Sequence, residues 1–332
     1  MNNSTYPKVS IIVPVYNAGE RFYKCMDTLI NQTLRDIEII LVLDCPTDGT
    51  DLIAKDYAST DERIIIVENK TNLHIGNSRN EGMKIARGEY IGFSDHDDYR
   101  ELTMYEDLYQ KAIQVNADIV LGTSVCIGDQ DEVMSFPPHL NGKDLREFAL
   151  RNLLTSGNDV VLTPFATYIH PNIYRRDLLM KNNILFVDTN KITPEDTLFQ
   201  IQTLYFSHEV CHYDKKLYYH IIHSESVGNN LDYKLSESRG NGKDVLYNFL
   251  LSNNIFQQYK TFFYQGVKKD FTNNLLDFFA LTKDFRLLIH TIRFFKSFPF
   301  CKDSFKNSEF SLMRYRFGGK LARKIIFIVM KF

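Results

Sequence analysis

Short apolar runs alternate with segments of helical spacing along the N-terminal part of the chain, and this alternation limits the folds available to it. The runs are rich in β-branched residues and read VSIIVPVY, IEIILVLD, RIIIVEN, YIGFSD and ADIVLGTS. Between them lie segments such as RFYKCMDTLINQT, whose apolar residues share one helical face: Phe22, Cys25, Met26, Leu29 and Ile30. This order of strands and helices predicts an α/β fold, with a mostly parallel sheet covered by helices on both sides.

Composition agrees with a globular protein. The chain has 332 residues, of which 44% are hydrophobic, so it can bury a large core. Its 5 cysteines form no C-x-x-C pair, which favours neither a disulfide framework nor a zinc site and predicts a reducing, cytosolic environment. The polar start MNNSTYPKVS lacks the layout of a secretory signal, and no run approaches the roughly 20 apolar residues of a membrane span.

Turn-forming residues follow three of the predicted strands, in PVYNAGE, DCPTDGT and DHDDY. Ligands of open α/β sheets bind beyond the carboxyl ends of the strands. We therefore expect these loops to meet at one edge of the sheet.

Three aspartates, Asp95, Asp97 and Asp98, lie within four positions at the end of YIGFSD. Like charges this close repel each other unless a cation or water offsets them. Carboxylates at a strand end suit Mg²⁺ or Mn²⁺, which take oxygen ligands and complete their shell with water and phosphates. The sequence therefore predicts a divalent-metal site with a nucleoside diphosphate as the second ligand.

Two further elements suit a nucleotide. Asp44 ends the second strand, where its carboxylate could accept N–H bonds from a base or could cap a turn. Arg79 and Asn80 open a helix, where a cation and helix N–H groups could meet a diphosphate, although a solvated arginine is the alternative.

Four ordered segments resemble the signatures of family 2 inverting glycosyltransferases of the bacterial surface-polysaccharide type, which have the GT-A fold. They are VSIIVPVYNAGE, DCPTDGT, SRNEGMKIARGEYIGFSDHDDY and PEDTLF, and they cover about residues 8 to 230. The resemblance implies a nucleotide-diphospho-sugar transferase fold with a Rossmann-like sheet. It places six residues in the nucleotide site: Pro14, Tyr16, Asn17, Asp44, Arg79 and Asn80.

The segment DHDD is similar to the family's D-x-D-D (DXD) motif. The resemblance implies that Asp95 contacts the nucleotide ribose or the metal and that Asp97 is the metal ligand. Asp98 completes the expected metal set, and His96 joins the expected nucleotide-sugar contacts. The family usually has an acidic residue and Gly-Ser where this chain has Leu43 and Cys45-Pro46, so the nucleotide preference is less defined.

PEDTLF corresponds to the family's E-D motif, which implies that Asp196 is the general base and Glu195 its alternative or its orienting neighbour. Two acids in a first helical turn would also favour the helix dipole without any catalytic role. Upstream, the resemblance suggests Tyr168 and His170 as acceptor-site residues. Core packing of Tyr168 and a surface position of His170 remain open.

A family strand and loop resembles KKLYYHIIHSESV, but this chain has His220 and Ile221 in place of a tyrosine and an arginine. His223 or Ser226 could close over the diphosphate, and a solvated loop is the alternative.

Basic and bulky apolar residues interleave in the tail, where 12 Lys or Arg stand against 3 acids from Lys283 to Phe332. Helical spacing separates Leu288, Ile292 and Phe295 from part of the basic set, as in a helix that lies on an anionic membrane. A helical bundle that packs on the catalytic domain, or that forms a homodimer, is the alternative. We expect a catalytic domain at 1–234 and a basic, aromatic helical region at 235–332.

The sequence thus predicts a metal-dependent, inverting hexosyl- or N-acetylhexosaminyltransferase at the cytoplasmic membrane face. A nucleotide sugar, expected to be a UDP sugar, would donate to a hydroxyl of a glycan or lipid-linked acceptor. No nucleic-acid motif accompanies the basic residues, so we expect no nucleic-acid partner. A non-catalytic nucleotide-sugar binding module and a nucleotidyltransferase are the rivals, and VPVYNAGERF lacks the glycine- and lysine-rich loop of the latter.

Overall fold

Strands and helices alternate along the N-terminal part of the chain, as the sequence pattern predicts. A computed structural model of the protein describes residues 6–128, 132–134, 140–155, 168–222, 233–282 and 285–306. The strands within these ranges are β1 (Val9–Val15), β2 (Ile37–Leu43), β3 (Ile64–Glu68), β4 (Tyr90–Phe93), β5 (Tyr99–Arg100), β6 (Ile119–Ile127), β7 (Glu132–Met134), β8 (Ile173–Arg175) and β9 (Val210–Ile221).

Helices cover the sheet and continue beyond it. They are α1 (Arg21–Ile30), α2 (Thr50–Thr60), α3 (His74–Ile85), α4 (Met104–Val115), α5 (Gly142–Leu154), α6 (Arg176–Lys181), α7 (Glu195–Phe206), α8 (Tyr233–Ser252), α9 (Phe256–Thr282), α10 (Phe285–Ser297) and α11 (Pro299–Lys306).

The described strands form one sheet in the order β3-β2-β1-β4-β8-β6-β9-β5, with β7 paired to β6. The first four strands in this order run parallel to one another. Beyond them β8 pairs antiparallel with both β4 and β6, whereas β9 runs parallel to β6 and antiparallel to β5. The predicted α/β class is confirmed, and the sheet is mixed beyond its parallel half.

Burial explains why the parallel half forms. Every residue of β1 and of β2 is buried, as expected for central strands covered on both faces. On α1 the predicted apolar face packs on this sheet, with Phe22, Cys25, Met26 and Leu29 fully buried and Ile30 partly buried. Each large apolar side chain buried in this way stabilises the fold by about 1.5–3 kcal/mol.

Close packing of α3 against the sheet positions the residues at its start. A Cβ added to Gly82 would lie 2.5 Å from Ile12 Cγ2, so a larger side chain at this place would push the helix away. Arg79 lies about one turn earlier on the same helix. The absence of a side chain at residue 82 therefore helps to hold Arg79 near the ends of the strands.

Two compact units divide the chain. The first comprises Met1–Leu150, Pro164–Thr189 and Glu195–His223, and the second comprises Arg151–Thr163, Asn190–Pro194 and Ser224–Phe332. The sheet and the candidate site described below belong to the first unit.

The second unit is helical over most of its described residues from 233 onward and has an aromatic core. Phe295 of α10 is buried, and its ring meets Phe271 of α9 with 4.8 Å between the ring centroids. Lys243 of α8 lies 2.9 Å from the Asp270 carboxylate of α9, with 9% of the lysine side chain exposed. Phe295, which the sequence placed on a membrane-facing side, is therefore buried against α9.

The other predictions about the tail concern residues of which little is described. Ile292 is partly buried, and the side chain of Leu288 and residues 307–332 lie outside the described part. No helix in the described ranges is long and apolar enough to cross a membrane.

Candidate active site

The loops that follow β1, β2 and β4 meet at the carboxyl edge of the parallel strands, as predicted. His96 Nδ1 lies 3.1 Å from the Pro14 carbonyl oxygen, which joins the aspartate loop to the end of β1. Thr47 N donates to Asn17 Oδ1 at 2.8 Å and thereby joins the loops after β1 and β2. Tyr16, between these contacts, is 45% exposed, so its ring is available for stacking on a base.

One oxygen of Asp44 is held by the protein and the other is not. Although the residue is 3% exposed, Oδ1 accepts hydrogen bonds from Asn69 Nδ2 and Leu73 N, both at 2.7 Å. No described residue donates to Oδ2. The bond to Leu73 caps the turn before α3, and the second oxygen remains an acceptor of the kind that a base N–H requires.

Arg79 is the centre of a buried cluster of acidic residues. Its side chain is 1% exposed, and Nη1 donates to Asp196 Oδ1 at 2.6 Å and to Glu195 Oε1 at 3.4 Å. Nη2 donates to Asp95 Oδ1 at 3.2 Å. The solvated-arginine alternative is excluded, because one guanidinium joins the aspartate loop of β4 to the first turn of α7.

His170 belongs to the same cluster rather than to the surface. The residue is 3% exposed, its Nε2 lies 3.0 Å from Asp95 Oδ1, and its ring stacks on Tyr218 at 5.5 Å. Burial alone would raise the pKa of Asp95, but His170 and Arg79 outweigh it and hold this pKa well below its usual range. Nε2 also lies 3.1 Å from Arg79 Nη2, so His170 contacts both members of the Arg79–Asp95 pair.

Glu195 and Asp196 share Arg79 but differ in environment. Burial and the charge of Asp196 raise the pKa of Glu195 to about 7, although Arg79 acts in the opposite direction. Only one oxygen of Asp196 is bound, because Oδ2 receives no hydrogen bond from a described residue. The two acids therefore do more than favour the helix dipole: they face a buried cation, and Asp196 keeps one oxygen for a further donor.

Asp98 does not fit the metal role expected for it. Its side chain has no exposed surface, and its oxygens accept from Tyr218 Oη at 2.7 Å, His220 Nδ1 at 3.1 Å and Ile221 N at 2.8 Å. Three donors from β9 thus take up the carboxylate. Asp98 fastens the aspartate loop to β9, and the expectation that it coordinates a cation is corrected.

A single-carboxylate metal site at Asp97 fits the structure better than a site built from three aspartates. No group of three or more His, Cys, Asp or Glu side chains in the described ranges is arranged to hold a metal. Asp95 is already paired with Arg79 and His170. Burial and the charge of Asp95 raise the pKa of Asp97, which a nearby cation would reverse. Mg²⁺ is often held by one or two carboxylates together with phosphates.

Asn80 and Tyr168 contact the protein in ways that the sequence did not reveal. Asn80 donates from Nδ2 to Phe186 O at 2.9 Å and accepts at Oδ1 from Phe186 N at 2.9 Å, so it holds a neighbouring segment of the chain. The hydroxyl of Tyr168 lies 3.7 Å from Cys126 Sγ, and its ring packs at 5.3 Å from His220. The contacts of Tyr168 agree with the core-packing alternative, and the nucleotide role of Asn80 and the acceptor role of Tyr168 stay predictions.

Sequence reasoning missed the part that β9 plays in the site. The charges of Asp98, Asp95 and Asp97 outweigh burial and raise the pKa of His220 to about 9, so an imidazolium stands beside the aspartate loop at neutral pH. The only signal was the histidine that replaces a family tyrosine. His223 and Ser226 lie outside the described residues.

Comparison with known sequences assigns this arrangement to a family. The profile described as Glycosyl transferase family 2 matches residues 10–181, which is more than half of the chain. The chain belongs to glycosyltransferase family 2. The match includes the loops after β1, β2 and β4, and it includes Arg79.

A curated relative supports this family membership. The chain is 37% identical over 213 residues to the uncharacterized glycosyltransferase EpsJ of Bacillus subtilis. The match covers 64% of this chain and 60% of EpsJ, so the chain spans less than two thirds of that relative.

Solved structures share the fold. The TarS 1-349 fragment of S. aureus in complex with UDP-GlcNAc superimposes with a TM-score of 0.68 at 20% identity, over 90% of this chain and 81% of the fragment. The mannosyltransferase PcManGT of Pyrobaculum calidifontis, in complex with GDP-Man and Mn²⁺, has a TM-score of 0.52 at 14% identity, over 98% of this chain and 86% of PcManGT. Both comparisons support the GT-A fold of this family 2 member.

Proposed function

We propose that this glycosyltransferase is a metal-dependent, inverting enzyme that transfers a hexosyl or N-acetylhexosaminyl unit from a UDP sugar to a hydroxyl group. The observation that carries the proposal is the bridge made by Arg79, which binds Asp95 and Asp196 with the two ends of one guanidinium. Asp95 on the donor side and Asp196, the proposed base, are therefore held on either side of one guanidinium group. Transfer requires both, because leaving group and acceptor must meet at the same carbon.

Asp196 is the proposed general base. Arg79 orients its Oδ1 at 2.6 Å, and Oδ2 is left to accept the proton of the acceptor hydroxyl. As the proton moves to Oδ2, the hydroxyl oxygen forms a bond to the anomeric carbon. The bond from that carbon to the diphosphate oxygen breaks with its electron pair on the diphosphate. Attack from the face opposite the leaving group inverts the configuration.

The donor side is built from the strand-end loops. Asp44 offers Oδ2 to a base with an N–H donor, as uracil has, and Tyr16 offers its exposed ring for stacking. Pro14 and Asn17 shape the loop on which the nucleotide would rest. The UDP-GlcNAc complex of the structural relative TarS agrees with a uridine nucleotide.

Asp97 is the residue that would hold a divalent cation, either Mn²⁺ or Mg²⁺. When bound, the cation would stabilise the negative charge that develops on the departing diphosphate. The Mn²⁺ in the PcManGT complex supports a metal in this fold. His220, whose Nδ1 lies 3.1 Å from Asp98 Oδ2, stands beside the same aspartate loop.

The acceptor side is less defined than the donor side. We propose a glycan or a lipid-linked saccharide at the cytoplasmic face of the membrane, with the basic C-terminal region near anionic lipid. Residues 1–234 would then form the catalytic domain and residues 235–332 the region that associates with the membrane or mediates dimerisation. Support comes from the excess of 12 basic over 3 acidic residues from Lys283 to Phe332.

Incubation of the purified protein with a panel of UDP sugars and Mn²⁺ tests the function, with released UDP as the measurement. We expect slow donor hydrolysis without an acceptor and faster release when an accepted saccharide is present. Asp196→Asn should lower the transfer rate by about 10²–10⁴-fold, the usual contribution of a general base. Asp177→Asn, at a surface position paired with Lys181, is the matched control and should keep the wild-type rate.

Binding of UDP without any turnover, in the wild type and in Asp196→Asn alike, would favour the non-catalytic binding module instead. The joining of Glu195 and Asp196 to the donor-side aspartate through buried Arg79 argues against that alternative. Absence of nucleotide binding would contradict both.

A further inference from the structure

Arg100 is a second buried arginine, and it lies behind the aspartate loop rather than in it. The residue is 2% exposed, and Nη2 donates to Ser94 Oγ at 2.7 Å and to the Asp98 carbonyl oxygen at 3.1 Å. Nη1 donates to the Cys25 carbonyl oxygen of α1 at 3.1 Å. One guanidinium thus binds the loop at both ends, on either side of Asp97.

The partners of Arg100 are neutral. They are two carbonyl oxygens, a hydroxyl and the Cys25 thiol, and no carboxylate of the described residues forms an ion pair with the guanidinium. Burial raises the pKa of that thiol, so it stays protonated. A buried charge without a counter-ion is costly. Among the described residues, Arg100 is therefore held by hydrogen bonds to the loop and to α1 rather than by an ion pair.

Tyr218 of β9 braces the same loop from the other side. Its hydroxyl accepts from Asp95 N at 3.2 Å and donates to Asp98 Oδ2 at 2.7 Å. Its ring lies 5.7 Å from the Arg100 guanidinium. The loop is therefore held at residues 94, 95 and 98, in addition to the contact of His96 with Pro14, and Asp97 lies between these points.

We propose that Arg100 is a positioning residue that holds Asp97 in the geometry needed to bind metal and nucleotide together. This role rests on the proposed function, because it assumes that Asp97 binds the cation. Arg100 itself touches neither ligand. Its hydrogen bonds to Ser94 and to the Asp98 carbonyl oxygen keep the loop closed.

Geometry and charge make opposite predictions for Arg100→Met. Loss of a positive charge by itself would strengthen the attraction of the loop for a divalent cation, since like charges repel. Loss of the hydrogen bonds would let the loop open and would weaken metal binding at Asp97. If Mn²⁺ strengthens UDP binding less in Arg100→Met than in the wild type, the loss of positioning outweighs the change in charge.

Calorimetric titration of the full chain with UDP, in Mn²⁺ and in EDTA, measures this effect. The ratio compared between variants is the dissociation constant in EDTA divided by that in Mn²⁺. We expect the ratio to fall by about tenfold in Arg100→Met, equivalent to about 1.4 kcal/mol. The ratio for Arg100→Lys should lie between those of the wild type and Arg100→Met, because lysine keeps the charge but lacks the planar guanidinium. Tyr218→Phe removes the second brace and should also lower the ratio.

Arg87→Met is the matched control, because it loses an arginine paired with Glu38 at 2.8 Å and makes no contact with the loop. It should lose stability while keeping the wild-type ratio. A wild-type ratio in folded Arg100→Met would overturn the proposal. If that variant does not fold, wild-type ratios in both Arg100→Lys and Tyr218→Phe would overturn it instead.

A wild-type protein that binds no UDP under either condition would refute the proposed function itself. That result is read from the wild type alone, so it is distinguishable from the failure of the positioning role. A reduced ratio in the three loop variants, with an unchanged ratio in Arg87→Met, would support the proposal.

Discussion

The guanidinium of Arg79 donates to Asp196 at 2.6 Å across 117 positions of the chain. The same group donates to Asp95 at 3.2 Å, so the end of β4 and the start of α7 are held by a single buried cation. This relationship explains how the acidic residues of the site tolerate one another. It also makes the site sensitive to single substitutions.

Replacement of Arg79 should destabilise the protein. Arg79→Met would leave the partly buried carboxylates of Asp95, Glu195 and Asp196 without their shared cation, and a broken buried pair costs about 3–5 kcal/mol. Urea denaturation followed by circular dichroism measures the free energy of unfolding. Lys181→Met, which removes a lysine whose side chain is 75% exposed, should change it by less than about 0.5 kcal/mol. Equal stability of the two variants would contradict the bridging role.

Asp97 and Asp98 should respond differently to the same change. Asp97→Asn should abolish the effect of Mn²⁺ on UDP binding and leave the melting temperature near that of the wild type. Asp98→Asn should lower the melting temperature, because Tyr218, His220 and Ile221 lose a charged acceptor, at about 1.5–3 kcal/mol for each hydrogen bond to a charged group. Calorimetric binding and thermal melting of both variants provide the test. The interpretation fails if Asp98→Asn melts like the wild type.

Glu195 should make stability depend on pH. Its pKa is about 7 in the folded protein and 4.5 in the reference state, so the folded state binds the proton more tightly. The stability that this proton provides is present below pH 4.5 and is lost as pH rises to about 7. Glu195→Gln removes the titration, so its free energy of unfolding should rise relative to the wild type over this interval and then level off. Denaturation at several pH values measures the difference, and a constant difference would refute the expectation.

Asp44 should decide which bases are accepted. Its Oδ2 can accept the N–H of uracil or guanine, whereas cytosine presents an acceptor at the corresponding position. Asp44→Asn should therefore reduce the preference for UDP over CDP by about tenfold, the equivalent of one hydrogen bond. Competition titrations with UDP, GDP and CDP measure the preference. An unchanged preference would assign Asp44 to turn capping alone.

Several features of the site were visible in the sequence because they depend on local order. The apolar runs that became β1 and β2 are buried along their whole length, and the polar residues after each run lie at one edge of the sheet. By contrast, β8 has three residues and carries no periodic signal of its own. Its antiparallel insertion between β4 and β6 depends on pairing with distant strands.

Neighbours along the chain can have opposite surroundings, and sequence alone does not separate them. Asp97 and Asp98 are adjacent acids, but donors of β9 enclose the carboxylate of Asp98, the first of them 120 positions away, whereas burial and the charge of Asp95 act on Asp97. His170, expected at the surface or at an acceptor, is buried against Asp95. These differences arise from which segments the fold brings together.

Hydrophobic periodicity and motif order are local properties, so the α/β class, the order of strands and loops and the family could be read from the sequence. Contacts between distant segments were needed to show that Arg79 joins Asp95 to Asp196, that Asp98 holds the aspartate loop against β9 and that Arg100 lies behind the loop. The environment of a charge depends on its burial and on its partners. Both are set by contacts between residues far apart in the chain.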